Sequence, residues 1–472
     1  MNETGARMRI RLMRSIALLA CCLAATANAE APADVRDDAR VILERIISIP
    51  SSAGLGQVPA VAQYLADRFR AAGFPEDDIH ILPSGETASL VVRYRGNGKG
   101  GKPILLLGHM DVVTAKPEDW ERDPFKLIEE NGYFFGRGAQ DMKADIALIA
   151  ATFLRLKAEK FVPRRDLIIA FSGDEETTMA TTKELATKYR ELTDAEFALN
   201  GDGGGGSLDS GTGKPQYYKL QGAEKSYASF TLTAHNPGGH SSQPRPDNAI
   251  YELADALKAV QGYSFPVMWN DWTVGSFKAA AASAPGELGQ AMAKFAANPG
   301  DPEAAAVLAR VPSMVGRTRT TCVATMLTGG HADNALPQSA TATVNCRIFP
   351  GTPVAEVRDT LQQLAGDKIE VKVHGDSYEG PPSPLRDDVT AAVTRAVRAS
   401  YPGVPVVPDM APYYTDGSTF RGAGIPTYGV SSLFMKPTDE FAHGLNERVP
   451  VAAFYAGLTH WYVLLTTLAG AK

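Results

Sequence analysis

Cysteine is scarce here: four residues in a chain of 472. A small disulfide-stapled scaffold is therefore excluded, and the 44% of hydrophobic residues is ample for one or two ordinary cores. Positive charge is not in excess either, with 47 Lys and Arg against 53 Asp and Glu and a net charge of −6. That balance argues against nucleic acid as a main partner, because phosphate binding needs a basic face. No internal repeat is present. No G-x-S-x-G elbow supports a serine hydrolase. The glycine run 203–206 lacks the Lys and Ser/Thr of a P-loop and forms no G-x-G-x-x-G between strand and helix. At roughly 150 residues per domain, the length allows two or three domains.

Long apolar runs are almost absent as well, and the two that occur have different readings. Residues 16–25 follow Arg7, Arg9, Arg11 and Arg14 and precede Ala27-Asn28-Ala29. A basic segment, a short apolar run and an A-x-A site read as a secretory signal peptide cleaved after Ala29, and the run is too short to span a bilayer. The protein is thus expected to be exported to the periplasm, with a lipoprotein lipidated at Cys21 as the weaker variant. Without residues 1–29 the net charge becomes −9, since the removed segment carries +3. The other run, 451–468, has a helical polar stripe and reads as a buried terminal helix, so no stable membrane span is expected.

Removing the signal leaves Cys322 and Cys346. They flank two strand-like runs, 320–328 and 338–348, with a turn near Asn334 midway between them. A hairpin would place the cysteines opposite one another, and both a cross-strand disulfide and two buried thiols fit that arrangement.

Strand-like runs (89–94, 104–107, 167–171, 197–199) alternate with helix-like segments (142–160, 181–192), which indicates an α/β domain with a mostly parallel sheet. After Gly222 the pattern becomes strand–helix–strand–strand–helix–strand, a small α+β sandwich of ferredoxin-like order. It contains an extra Ala-rich helical stretch at 277–311. From residue 384 the first texture resumes. The expected domains are a catalytic α/β unit, 30–222 with 380–472, interrupted by an inserted unit, 223–379.

Acids and histidines gather where strand-like runs end: Gly108-His109-Met110-Asp111, Ser172-Gly173-Asp174-Glu175-Glu176 and Asn200-Gly201-Asp202. Ligands of open α/β sheets bind at the carboxyl ends of strands. Residues two apart on an extended chain point the same way, so His109 and Asp111 face one site. Imidazole and carboxylate together suit zinc and similar divalent ions.

These stretches resemble the zinc-dependent aminoacylase/carboxypeptidase family, which includes glutamate carboxypeptidase, aminoacylase, carboxypeptidase S and succinyl-diaminopimelate desuccinylase. The matching segments are LLLGHMDVV (105–113), GRGAQDMKAD (136–145), SGDEET (172–177), GGHSSQP (238–244), GGHADNALPQSA (329–340), NCRIFPG (345–351), TDGSTFRGAGIPTYGV (415–430) and FAHGLNERV (441–449). The resemblance implies two Zn2+ ions, replaceable by Co2+ or Mn2+, with Asp141 bridging them. His109 and Asp202 would complete one ion, Glu176 and His443 the other. Asp111 would orient His109, and Glu175 would be the general base. The bond after Asp141 is commonly cis in the family. The inserted unit would be a lid and dimerisation domain, carrying a His240 that reaches the substrate carbonyl oxygen. Asn334 and Arg347 would contact substrate, Arg347 through a terminal carboxylate, with Gly417 and Ser418 in a substrate-facing loop. One departure from the pattern is NGDGGGG, which carries Asp202 where many relatives have Glu-Gly.

The function implied is hydrolysis of an amide bond beside a free-carboxylate residue, of carboxypeptidase or dipeptidase type and closest to the carboxypeptidase S branch. Small peptides or N-acyl amino acids would be the substrates, and a homodimer through the lid is implied. The alternatives are an N-acyl-amino-acid amidohydrolase and, more remotely, a periplasmic binding protein that has lost catalysis.

Overall fold

The computed structural model describes residues 30–470 except 283 and 285. The signal peptide read at 1–29 lies outside the described residues.

The parallel centre of the fold follows from its most apolar strands. Leu167–Ser172, Ile104–His109, Phe197–Asn200 and Thr427–Gly429 lie side by side and parallel. They form the middle of a ten-stranded mixed sheet whose flanks contain both antiparallel and parallel pairs. Buried on both faces, these strands need no polar alternation. Ile104 and Leu106 point into the larger core, shared with the helices Ala33–Ile47, Lys143–Ala158 and Val451–Ala469. Leu105 and Leu107 point the other way, towards Leu185, Phe420 and Ile425. The helix Val451–Ala469 is long and apolar enough to cross a membrane. In the fold it buries Phe454, Trp461, Leu464 and Leu465 in the larger core.

Lys225 separates the two units. The strand Pro215–Glu224 belongs to the large sheet, and Ser226–His235 to a separate four-stranded antiparallel sheet. The smaller sheet runs Thr321–Gly329, Ser339–Ile348, Ser226–His235, Ile369–Tyr378. Its central strand alternates buried Ala340, Ala342, Val344, Cys346 and Ile348 with polar residues, as a sheet covered on one face requires. The helices Ala249–Gly262 and Val354–Ala365 supply the cover. Cys322 and Cys346 face each other across the ladder, Cα atoms 4.1 Å apart, and form a disulfide.

The Ala-rich stretch departs from the expected inserted unit. Its helices, Asp271–Ala280, Gly286–Ala297 and Pro302–Ala309, form their own core around Phe277, Met292, Phe295 and Leu308. The first of them docks on the catalytic sheet, and the other two pack behind it. Trp272 enters the larger core and donates its indole N–H to the Ser383 carbonyl at 2.7 Å. Gly222 lies under the indole, where a Cβ would come within 1.9 Å of the ring. The lid's edge strand Thr321–Gly329 therefore remains open, with Val323, Met326 and Leu327 exposed.

Candidate metal centre

The parallel strands deliver their polar residues at one end. Ile104–His109 finishes on His109, which is 1% exposed. Its Nε2 lies 3.0 Å from Asp141 Oδ1 and 3.9 Å from Asp202 Oδ2. From the opposite side His443 Nε2 lies 3.1 Å from Asp141 Oδ2 and 3.0 Å from Glu176 Oε1. Asp141 thus stands between two imidazoles, one carboxylate oxygen towards each. The Asp141–Met142 peptide bond is cis. Ligating atoms of His109, Asp141 and Glu176, and again of His109, Glu175 and Asp202, lie within 4.8 Å of one another.

Asp111 organises two parts of this cluster. Its backbone oxygen is 3.1 Å from His109 Nδ1 and its carboxylate 3.4 Å away. The same carboxylate accepts the N–H groups of Glu175 and Glu176, at 3.1 and 3.0 Å. It fixes both the imidazole and the turn that presents the two glutamates.

The protonation pattern reflects crowded like charge. Burial, together with the nearby carboxylates of Asp202, Asp416 and Glu176, pushes Glu175 well above the usual carboxylate range. Burial and Asp141 do the same to Asp202. Burial disfavours charge on His109, but the hydrogen bonds to Asp111 and Asp141 outweigh it and hold that imidazole well above its ordinary value. Hydrogen bonds to Asp141 and Glu176 raise His443 to about 10. Buried oxygen and nitrogen donors that otherwise must share protons form a donor set suited to divalent cations.

A cleft of about 470 Å3 opens on the cluster, lined by Gly203–Gly206, Lys219, Tyr413, Leu433 and Met435 among others. The glycines are demanded by packing as well as by the cleft. A Cβ on Gly206 would fall 2.2 Å from the Phe434 ring, and one on Gly204 2.5 Å from the Gly429 carbonyl oxygen.

Other residues singled out in the sequence lie elsewhere. His240 and Asn334 are exposed and adjacent in the lid, where Ser241 N–H donates to the Asn334 carbonyl at 3.0 Å. No hydrogen bond or ion pair links either of them to the metal cluster among the described residues. Arg347 is half-buried in the lid, its guanidinium 4.9 Å from the centre of the Tyr227 ring, and burial lowers its pKa. Gly417 and Ser418 depart from expectation. Both are buried in the first turn of the helix Asp416–Gly422, where Gly417 packs against Thr427 and Glu224. The cleft side of that segment is formed by Tyr413, Tyr414 and Thr415.

Three residues that support the site lie within the matching segments but were not singled out in the sequence. Asp416 accepts the hydroxyls of Ser172 and Thr182 beneath the glutamate turn, and burial raises it to about 6. Glu447 and Arg137 form a buried ion pair at 2.6 Å. TDG and NER read as loop tripeptides, and nothing local marks their acids as buried.

An α/β sheet with imidazoles and carboxylates converging at its strand ends defines a metal-dependent hydrolase. Residues 105–467 match Peptidase family M20/M25/M40, and the chain belongs to that family of hydrolytic, metal-dependent enzymes. Its relatives include N-fatty-acyl-amino acid synthase/hydrolase PM20D1 of Xenopus tropicalis, 30% identical over 80% of this chain and 74% of the relative. The probable carboxypeptidase S-like 2 of Dictyostelium discoideum is 27% identical over 80% of this chain and 74% of its own length. The fold is similar to that of the M20 family metallo-carboxypeptidase Sso-CP2 from Sulfolobus solfataricus, with a TM-score of 0.69, 19% identity, and coverage of 92% and 99% of the two chains.

Proposed function

We propose that the protein hydrolyses an amide bond next to a C-terminal residue with a free carboxylate, as a carboxypeptidase or dipeptidase using two zinc ions. The observation carrying this reading is the set of donors around Asp141, two imidazoles and three further carboxylates with few protons to share. Asp141 would bridge the ions, His109 and Asp202 would hold one, and Glu176 and His443 the other. The chemistry supplied on binding is Lewis-acid polarisation of the substrate carbonyl and acidification of a water. Glu175, presented beside His109 and Asp202 by the turn that Asp111 holds, takes the proton of the attacking water and returns it to the departing amine. Arg347 supports recognition of the terminal carboxylate: its guanidinium is partly desolvated and has no ion-pair partner among the described residues.

His240 and Asn334 lie apart from the metal cluster, while the lid's edge strand is open. On this reading two copies pair through their lids, and each lends His240 to the other's oxyanion.

A second reading, hydrolysis of N-acyl amino acids, is favoured by the names of the relatives and by Leu433, Met435 and Tyr413 on the cleft wall. Assaying a Gly-Xaa dipeptide panel beside N-acetyl and long-chain N-acyl amino acids, with and without a chelator, separates the two. Turnover of dipeptides that chelation abolishes is expected. Turnover confined to acyl substrates would replace the first reading with the second, and chelator-resistant turnover would remove both.

The disulfide supports export to an oxidising compartment. The periplasmic protein should begin at Glu30. An uncleaved cytoplasmic chain would refute this.

A further inference from the structure

The loop that follows His443 returns to the metal centre through one side chain. Glu447 is fully buried, and its carboxylate accepts four hydrogen bonds from the segment leading into Asp141. Oε2 takes Arg137 Nη1 at 2.6 Å and the Gly138 N–H at 3.0 Å. Oε1 takes the N–H groups of Gln140 at 2.8 Å and of Asp141 itself at 2.9 Å. The Glu447 carbonyl also accepts the Gly136 N–H at 3.1 Å. One acid therefore satisfies most of the donors on the 136–141 loop.

Arg137 carries the link back to the other loop. A second nitrogen of its guanidinium, Nη2, donates to the His443 carbonyl at 3.3 Å. Trp120 covers the guanidinium, with its ring centre 5.1 Å away. His443 has a φ of 64°, in the left-handed region that a non-glycine residue adopts only when its surroundings impose it. The contact on its carbonyl is one such constraint. A third strap joins the Gln140 side-chain oxygen to the Phe441 N–H at 2.9 Å.

We infer that Glu447, acting through Arg137, is the positioning residue that sets the spacing of Asp141 and His443 across the metal centre. It touches neither substrate nor ligating atoms. A buried ion pair is a poor source of net stability, but its directional hydrogen bonds define geometry well. Here both ends of the pair act on loops that bear a ligand. The inference rests on the reading that Asp141 and His443 hold metal.

Glu447→Gln tests it at constant volume. Whichever way the amide turns, its NH2 meets two donors, either Arg137 with Gly138 N–H or Gln140 with Asp141 N–H. The measurements are titration of metal-free protein with Zn2+ alone, melting of the metal-free protein, and kcat and KM of the loaded enzyme. Because it leaves the buried Arg137 charge without its counter-ion, the variant is expected to melt below its parent when metal-free but to stay folded at the temperature of the titration. It should lose roughly 10- to 100-fold in Zn2+ affinity, as outer-shell partners typically do. It should also lose kcat with little change in KM. Arg137→Lys keeps charge against Glu447 but gives up the fork to His443, and should shift Zn2+ affinity in the same direction. If Glu447→Gln does not fold, the Arg137→Lys titration decides, and unchanged affinity there overturns the assignment. A parent that takes up Zn2+ while Glu447→Gln matches it in affinity and kcat overturns the positioning role alone. A parent that takes up no Zn2+ overturns the site reading and this assignment with it.

Discussion

At the scale of single residues, the proposed chemistry separates into groups that would hold metal and one group that would transfer a proton. Glu175 lies within reach of His109 and Asp202, and the proposed reading makes it the base and not a ligand. Glu175→Gln is therefore expected to keep the metal content of the parent and to lose about 10²- to 10⁴-fold in kcat, the usual contribution of a general base. Metal analysis beside steady-state kinetics checks this; loss of metal with activity would make Glu175 a ligand instead. His109, Asp111, Glu175, Glu176 and Asp202 were legible in the sequence because each follows an apolar strand run, where a histidine or an acid has a physical reason to face a site, whereas Asp141 and His443 came only from the family resemblance. Glu447 and Asp416 stand in matching segments, but their supporting roles were not legible. Each is a lone acid in a polar stretch, and its partners stand some 306 or more positions away for Glu447 and 234 or more for Asp416. Only the closed fold shows that water cannot reach them. Gly417 and Ser418 failed in the opposite sense, since a motif marked the segment but helix packing turned both inwards.

At the scale of elements, periodicity identified most strands and helices but not which sheet each helix would cover. The stretch 277–311 has abundant alanine, and alanine marks a helix without marking its neighbour. Trp272 and Gly222 decide the docking, and only in three dimensions do they form a pair. The terminal helix Val451–Ala469 shows what an apolar face can conceal. His460 is 3% exposed and faces the Tyr218 ring, with centroids 5.6 Å apart. Burial lowers its pKa from 6.5 to about 4, partly offset by a hydrogen bond with the backbone of Val430. Between those values the unfolded chain binds a proton that the folded one refuses, so stability falls as pH drops through this window. The linkage amounts to about 3 kcal/mol. His460→Phe should flatten the fall in melting temperature between pH 6.5 and 4.5 relative to the parent. Parallel profiles for the two proteins would show that His460 does not carry this dependence.

At the scale of the whole molecule, the distribution of functional residues is uneven. The catalytic unit contains the proposed metal donors and base, while His240, Asn334 and Arg347 sit on the lid beyond the single-residue boundary at Lys225. The lid also presents Val323, Met326 and Leu327 on an edge strand with unpaired backbone groups, which proteins ordinarily cover. The helical stretch that could have covered this edge lies on the catalytic sheet. Pairing of two lids would close the edge and carry His240 towards a neighbouring site. That arrangement has a signature no single chain can imitate. Glu175→Gln and His240→Ala each inactivate every site in their own homodimers. Mixed and re-equilibrated, they form heterodimers in which the subunit with Glu175 receives an intact His240 from its partner. Random pairing restores roughly a quarter of the parental sites, because half the dimers are mixed and each mixed dimer has one complete site. If His240 serves its own subunit, every site in the mixture lacks either its base or its histidine, and activity stays at the sum of the parts. Light scattering on the same samples must show a dimer for the recovery to be read this way. A monomer, or a dimer without recovery, would return His240 to its own chain and require the lid to close over the cleft by itself.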